Sequence, residues 1–195
     1  MPAAPSTLHA MKTTTAVPLL FLAGAALASA PAAHALDLQP DAVSVRAGVG
    51  THGTAMAGVG IVWDWDFERL RRHAELTAHT EFIINHWRAD AVGGGKQSVT
   101  QLALLPTLRM QLAQGRSPWF IEIGVGLSWM DRLFVTPDKR FSTQWNFYDV
   151  MGVGYQFGAR KDHELGLRWA HVSNAGLKKP NPGQDFLQLR YVARF

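Results

Sequence analysis

His171 and Ser173 stand two residues apart in the segment Trp169-Ala-His-Val-Ser173. On an extended strand, residues i and i+2 project to the same side. A histidine and a serine at that spacing bring a base within reach of a hydroxyl, the pairing that nucleophilic acyl cleavage needs. Their parity is that of Leu165, Leu167 and Trp169, an otherwise apolar face. Polar groups on such a face are costly unless they bond to something. A lone His-x-Ser is a weak signal, and the simplest reading is an isolated polar pair near a strand end. Two acids raise its weight. Asp185 shares the parity of Leu187, Leu189 and Tyr191 in the next alternating segment. Asp149 shares that of Phe147 and Met151 in the preceding one. Either acid could orient the histidine. A tight turn centred on Arg160 sets Asp149 opposite His171, with Phe147 beside it on the same face. Asn174, Gly176 and Asn181 follow the serine. Their types suit turns, and they could also donate to an oxyanion. Lys178 and Lys179 are solvated loop charges or contacts for lipid phosphates.

The elements that must position these residues are strands. Trp119, Ile121, Ile123, Val125, Leu127 and Trp129 share one parity, against Phe120, Glu122, Gly124, Gly126 and Ser128. One face is apolar with an aromatic at each end, and the other is mostly small or polar. Similar alternation recurs around Val43–Val49, Ala55–Trp65, Ala74–Ile84, Leu102–Leu112, Phe147–Phe157, Leu165–Trp169 and Leu187–Phe195. That makes eight strands.

Alternation fits a soluble barrel with its apolar face inward, or a membrane barrel with that face outward. Charges occupy the polar parity of almost every strand: Arg46, Asp64, Glu75, Glu81, Arg109, Glu122, Glu164, Arg168, Arg190 and Arg194. Opposite signs could pair inside a narrow lumen. Trp63, Trp65, Trp119, Trp129, Trp169 and Tyr191 fall near strand ends, where an aromatic girdle belongs. The chain closes on Phe195. The expected architecture is therefore all-β, an eight-stranded antiparallel transmembrane barrel, whose even count leaves no edge open in lipid. Pro106 is the misfit, and a bulge or kink is expected there. Connections near 67–71, 114–117, 158–162 and 51–53 are short. Those near 89–97, 132–142 and 174–184 are longer, which sets both termini at the periplasmic side and His171 and Ser173 at the outer surface.

Residues 1–35 read as a secretory signal peptide. Lys12 precedes an apolar stretch from Ala16 to Leu27, and Ala33-His34-Ala35 offers a cleavage site. Met11 is a candidate start. Residues 36–195 then form one barrel domain. The chain has 195 residues, no cysteine and a formal charge of +4. That excludes a thiol nucleophile and a disulfide framework. The basic residues are scattered, so nucleic acid is not an expected partner. His73, His79 and His86 make no coherent ligand set, so neither a metal nor another cofactor is expected.

The segment His171-Val-Ser-Asn-Ala-Gly-Leu-Lys-Lys-Pro-Asn-Pro-Gly183 closely resembles the signature of PagL-type lipid A 3-O-deacylases. Trp63–Asp66, Phe120–Gly126 and Phe147–Gly154 also resemble family blocks, and the likeness covers essentially the whole of 36–195. The resemblance implies an eight-stranded outer-membrane barrel with a Ser-His-acid triad facing the membrane. Ser173 is then the nucleophile and His171 the base, with Asn174, Gly176 and Asn181 in the oxyanion region. The acid twelve residues after the serine is commonly Glu in that family, and here it is Asp185, one methylene shorter. Asp149 therefore stays open as a supporting acid, with Phe147 next to it. The implied substrate and partner is lipid A, as part of lipopolysaccharide in the outer leaflet, and a homodimer is left open. The alternatives are a non-catalytic adhesin-type barrel, another lipid hydrolase or acyltransferase, and a soluble lipid-carrying barrel.

Overall fold

A computed structural model describes residues 39–66 and 75–195. The signal peptide expected over 1–35, the Met11 start and the turn near 67–71 lie outside the described residues. The strands are β1 (Ala42–Gly50), β2 (Ala55–Asp64), β3 (Leu76–Asp90), β4 (Lys96–Gln111), β5 (Trp119–Met130), β6 (Trp145–Phe157), β7 (His163–Ser173) and β8 (Gln184–Arg194). Each pairs antiparallel with the next, and β8 returns to β1, so the sheet closes on itself. The apolar parity of each strand faces outward. Val45, Ile123, Leu127, Met151 and Leu189 are each at least half exposed on that surface. An outward apolar band on a closed barrel is the organisation that spans a membrane.

The lumen has two parts. From mid-barrel to the end where β1 begins and β8 finishes it is ionic. Arg168 joins Glu122 at 2.5 Å and Glu81 at 3.4 Å. Glu81 also holds Arg190 at 3.2 Å and Arg46. Arg109 bonds Glu164 at 2.6 Å and Glu122 at 3.1 Å, and stacks over the Phe120 ring at 3.7 Å. Toward the opposite end the lumen is apolar, with Ile83, Trp87, Leu105, Met130, Tyr148 and Phe186 buried together. The charged inward parity picked out by the alternation thus accounts for one part of the lumen. The residues of inward parity near that end are large and apolar, and they pack as a core.

Removing one partner of a buried ionic network leaves the others uncompensated. Glu81→Gln strips the shared anion from three arginines and is expected to cost about 3–5 kcal/mol. A lower urea midpoint for unfolding from lipid vesicles, at unchanged slope, is the result to look for. A midpoint equal to wild type would remove the network from the account of stability.

Pro106 causes no bulge. β4 and β5 keep one register on both sides of it, Leu104 opposite Leu127 and Thr107 opposite Gly124. Only the pairings of Leu105 and Pro106 are missing. The ring removes a ladder donor, and the sheet answers by pausing rather than by inserting a residue. The connection expected over 89–97 is also shorter. β3 and β4 run on to Asp90 and Lys96, leaving 91–95 as the turn. Gly93, Gly94 and Gly95 take φ of 86°, 101° and 75° there, which glycine alone adopts cheaply. The two long connections at that end of the barrel are 131–144 and 174–183, and both border the site described next.

Candidate active site

β6, β7 and β8 set the geometry. Asp149 is opposite His171 on one side, and Asp185 is opposite it on the other. Phe147 is opposite Ser173. The turn between β6 and β7 thus centres on Arg160, and all five residues share the outward parity. His171 Nδ1 and Asp185 Oδ1 are 2.8 Å apart. The His171 ring also stacks on Trp169, with centroids 5.7 Å apart and planes 17° apart. Trp169 was expected in the aromatic girdle. It lies on that outward surface and also covers the flat face of the histidine, while Trp119 meets Tyr155 edge-on at 5.0 Å toward the other end of the barrel.

Ser173 is buried at the end of β7. Its Oγ accepts the Ala175 amide at 3.4 Å, and no hydrogen bond joins it to His171. Asp149 stands across from His171 without a hydrogen bond to it, so Asp185 is the acid in contact with the imidazole.

The loop after Ser173 is held by its own side chains. Asn174 N–H donates to Asn181 Oδ1 at 3.0 Å, and Gly176 N–H donates to Asn174 Oδ1 at 3.0 Å. Asn174 Nδ2 donates to Ser142 Oγ, Thr143 Oγ1 and the Lys178 carbonyl. The three residues expected as oxyanion donors therefore build the loop. The backbone amides of Asn174 and Gly176 are committed, which leaves Ala175 N–H, pointed at Ser173 Oγ, and the Nδ2 of Asn181. Ala175 has φ of 52°, a conformation rare for a residue with a Cβ.

Gly183 is the residue the sequence did not single out for a role. A Cβ there would fall 2.6 Å from His171 Cε1 and 3.2 Å from Nε2. The backbone at Gly183 is a wall against the ring edge that carries the second nitrogen. Its place at the end of the His171–Gly183 block was the available signal. His79 and His86 lie on opposite faces of β3, one in the lumen and one outward, so they cannot converge on an ion. His73 lies outside the described residues.

The resemblance to known proteins covers these same strands. A family model described as Lipid A 3-O-deacylase (PagL) matches residues 51–194. A protein of Pseudomonas aeruginosa named Lipid A deacylase PagL is 30% identical over 168 residues, which is 86% of this chain and 94% of that one. Its namesake in Bordetella bronchiseptica is 31% identical over 159 residues, 78% of this chain and 83% of that one. The crystal structure of the outer membrane enzyme PagL aligns with a TM-score of 0.66 at 27% identity, across 79% of this chain and 99% of that chain. A match across three quarters of the sequence, on a barrel of the same organisation, leads to one statement: the chain belongs to the lipid A 3-O-deacylase (PagL) family.

Proposed function

We propose that the protein is an outer-membrane serine esterase that hydrolyses the 3-O-linked acyl chain of lipid A through Ser173, His171 and Asp185. The observation that carries this reading is the 2.8 Å contact between His171 and Asp185, on an outward barrel face, two residues before a serine. An ester in the outer leaflet reaches such a site by lateral diffusion, with its sugar at the headgroup level and its chain in the hydrocarbon. The 131–144 and 174–183 end then faces outward from the cell, the termini face the periplasm, and all eight strands cross. Residues 1–35 serve as the export signal.

Asp185 accepts Nδ1–H and so fixes the tautomer that leaves Nε2 as base. Rotation of the Ser173 side chain closes the remaining gap, as catalytic hydrogen bonds commonly do when substrate binds. His171 takes the Ser173 proton while Oγ attacks the acyl carbonyl. In this reading Ala175 N–H, which already donates to Ser173 Oγ, and Asn181 Nδ2 serve as the oxyanion donors. The sugar oxygen leaves with the proton from His171, and water then hydrolyses the acyl-enzyme by the same base. Asp149 flanks the histidine on the other side as a supporting acid.

A shallow apolar groove beside the site suits the acyl chain. Leu104, Pro106, Val125, Leu127 and Phe147 line it on the outer face. It lies where the β4–β5 ladder pauses, and Phe147 is the cross-strand partner of Ser173.

The test is mass spectrometry of lipid A after incubation with the purified, folded barrel. One hydroxyacyl chain should be lost from the 3 position and recovered as free acid. Lipid A of unchanged mass would sink the reading. Recovery of the chain on a second lipid would replace the hydrolase with an acyltransferase.

A further inference from the structure

We propose that Lys139, in the connection between β5 and β6, is a positioning residue for the His171 ring, acting through Gly183. The inference rests on the reading of Ser173, His171 and Asp185 as an esterase site. Lys139 Nζ donates to the Gly183 carbonyl at 2.9 Å, to Gln184 Oε1 at 3.2 Å and to Thr51 Oγ1 at 2.8 Å. An ammonium has three protons, and all three are committed. Two of the acceptors are the residues that lead directly into Asp185. The first belongs to the glycine whose backbone walls the imidazole.

Contact of that kind steadies a ring only if the lysine is itself fixed, and the connection is built to fix it. Phe134 and Phe141 are buried in the barrel mouth. Phe134 meets Trp87 edge-on at 5.4 Å and Phe141 at 5.5 Å. Phe141 N–H closes on the Phe134 carbonyl at 2.9 Å, and Thr136 N–H on the Lys139 carbonyl at 2.7 Å. The connection is thus a small hairpin seated on two rings, and Lys139 lies at its tip. The lysine gives up part of its hydration in this seat. Burial lowers its ammonium below the usual lysine range, and the nearby Asp185 carboxylate opposes that shift.

The Gly183 carbonyl needs this partner because the residue has no side chain and sits at φ of 66°. Glycine loses more backbone freedom on ordering than any other residue. Without the lysine, the wall behind His171 Cε1 is a glycine joint held on its Asp185 side by β8 alone. A base displaced by about 1 Å from its working position can lose about 10²-fold in rate.

The experiment reads the rate at which a fluorophosphonate modifies Ser173 in the full, folded barrel, which reports nucleophile and base without lipid A. Wild type should label at Ser173. Failure to label would remove the serine-esterase reading itself. With labelling established, Lys139→Met is expected to slow it by about 10- to 100-fold. Lys139→Arg, which keeps charge and donors, is expected to recover most of the rate. Met and wild-type rates that coincide would overturn the positioning role and leave the esterase standing. If the Met variant does not assemble, Lys139→Gln, which also loses the ammonium, takes its place with the same expected loss, and Gly183→Ala tests the wall on which the lysine acts. Its Cβ should displace the ring and slow labelling, and an unchanged rate would overturn the proposal.

Discussion

Ser173→Ala is expected to reduce deacylation by about 10⁶-fold when chemistry limits turnover, which in a cell-based assay means unmodified lipid A. The reason is that, in the proposed mechanism, the serine oxygen is the atom that forms the acyl-enzyme, and alanine has none. In this state the Ser173 hydroxyl makes one long contact, to the Ala175 amide at 3.4 Å, so its loss should leave the barrel intact. A folded, inserted and inactive variant is therefore the expected outcome, and stability should not confuse it. Residues that act as a unit are not additive. Once Ser173 is alanine, His171→Ala should cost almost nothing further, although alone it should be severe. A double variant far below both singles would mean that His171 acts on the substrate by a route independent of Ser173. Activity retained by Ser173→Ala would end the serine mechanism.

Much of this site could be read from residue types and spacing because strand geometry is so constrained. Side chains alternate, so His171, Ser173, Asp185 and Asp149 could be assigned to one face by parity alone. A closed antiparallel sheet then needs only a turn centre to give the register, and a turn at Arg160 brings Asp149 opposite His171. Parity says less where both faces are apolar. It assigns Ile84 and Leu104 outward, and both are exposed, but it leaves unweighed the apolar members of the inward set, such as Ile83 and Leu105, which pack in the core of the barrel mouth. Backbone donors are also invisible to residue type. Asn174 and Gly176 look like oxyanion donors, but their amides are consumed within the loop. The 131–144 hairpin was hidden for a third reason. Of its two buried phenylalanines, Phe134 packs on Trp87, which lies more than forty residues earlier in the chain, and Phe141 packs on Phe134. No local pattern announces a contact at that range.

Asp185→Asn is expected to lower kcat by about 10²- to 10⁴-fold. The amide keeps the shape of the carboxylate, so packing at the start of β8 is preserved. What changes is the proton. Asp185 can only accept from Nδ1, which fixes the neutral ring with a free lone pair on Nε2. An asparagine that presents its NH₂ to Nδ1 stabilises the other tautomer, in which Nε2 carries the proton and cannot act as base. Asp149 makes the size of the effect informative. It faces His171 from β6, so it can take over part of the orienting role. An effect near the lower bound for Asp185→Asn, deepened by adding Asp149→Asn, would mean that the two acids share the task. An effect near the upper bound, with Asp149→Asn alone mild, would mean that Asp185 holds it. Asp185→Glu lengthens the acid by one methylene. The present backbone already brings the shorter carboxylate to 2.8 Å, so the extra methylene has to fold back. That variant should fall between wild type and Asp185→Asn. The assignment of Asp185 fails if Asp185→Asn keeps wild-type kcat while Asp149→Asn abolishes it, because the imidazole would then take its orientation from β6 and not from β8.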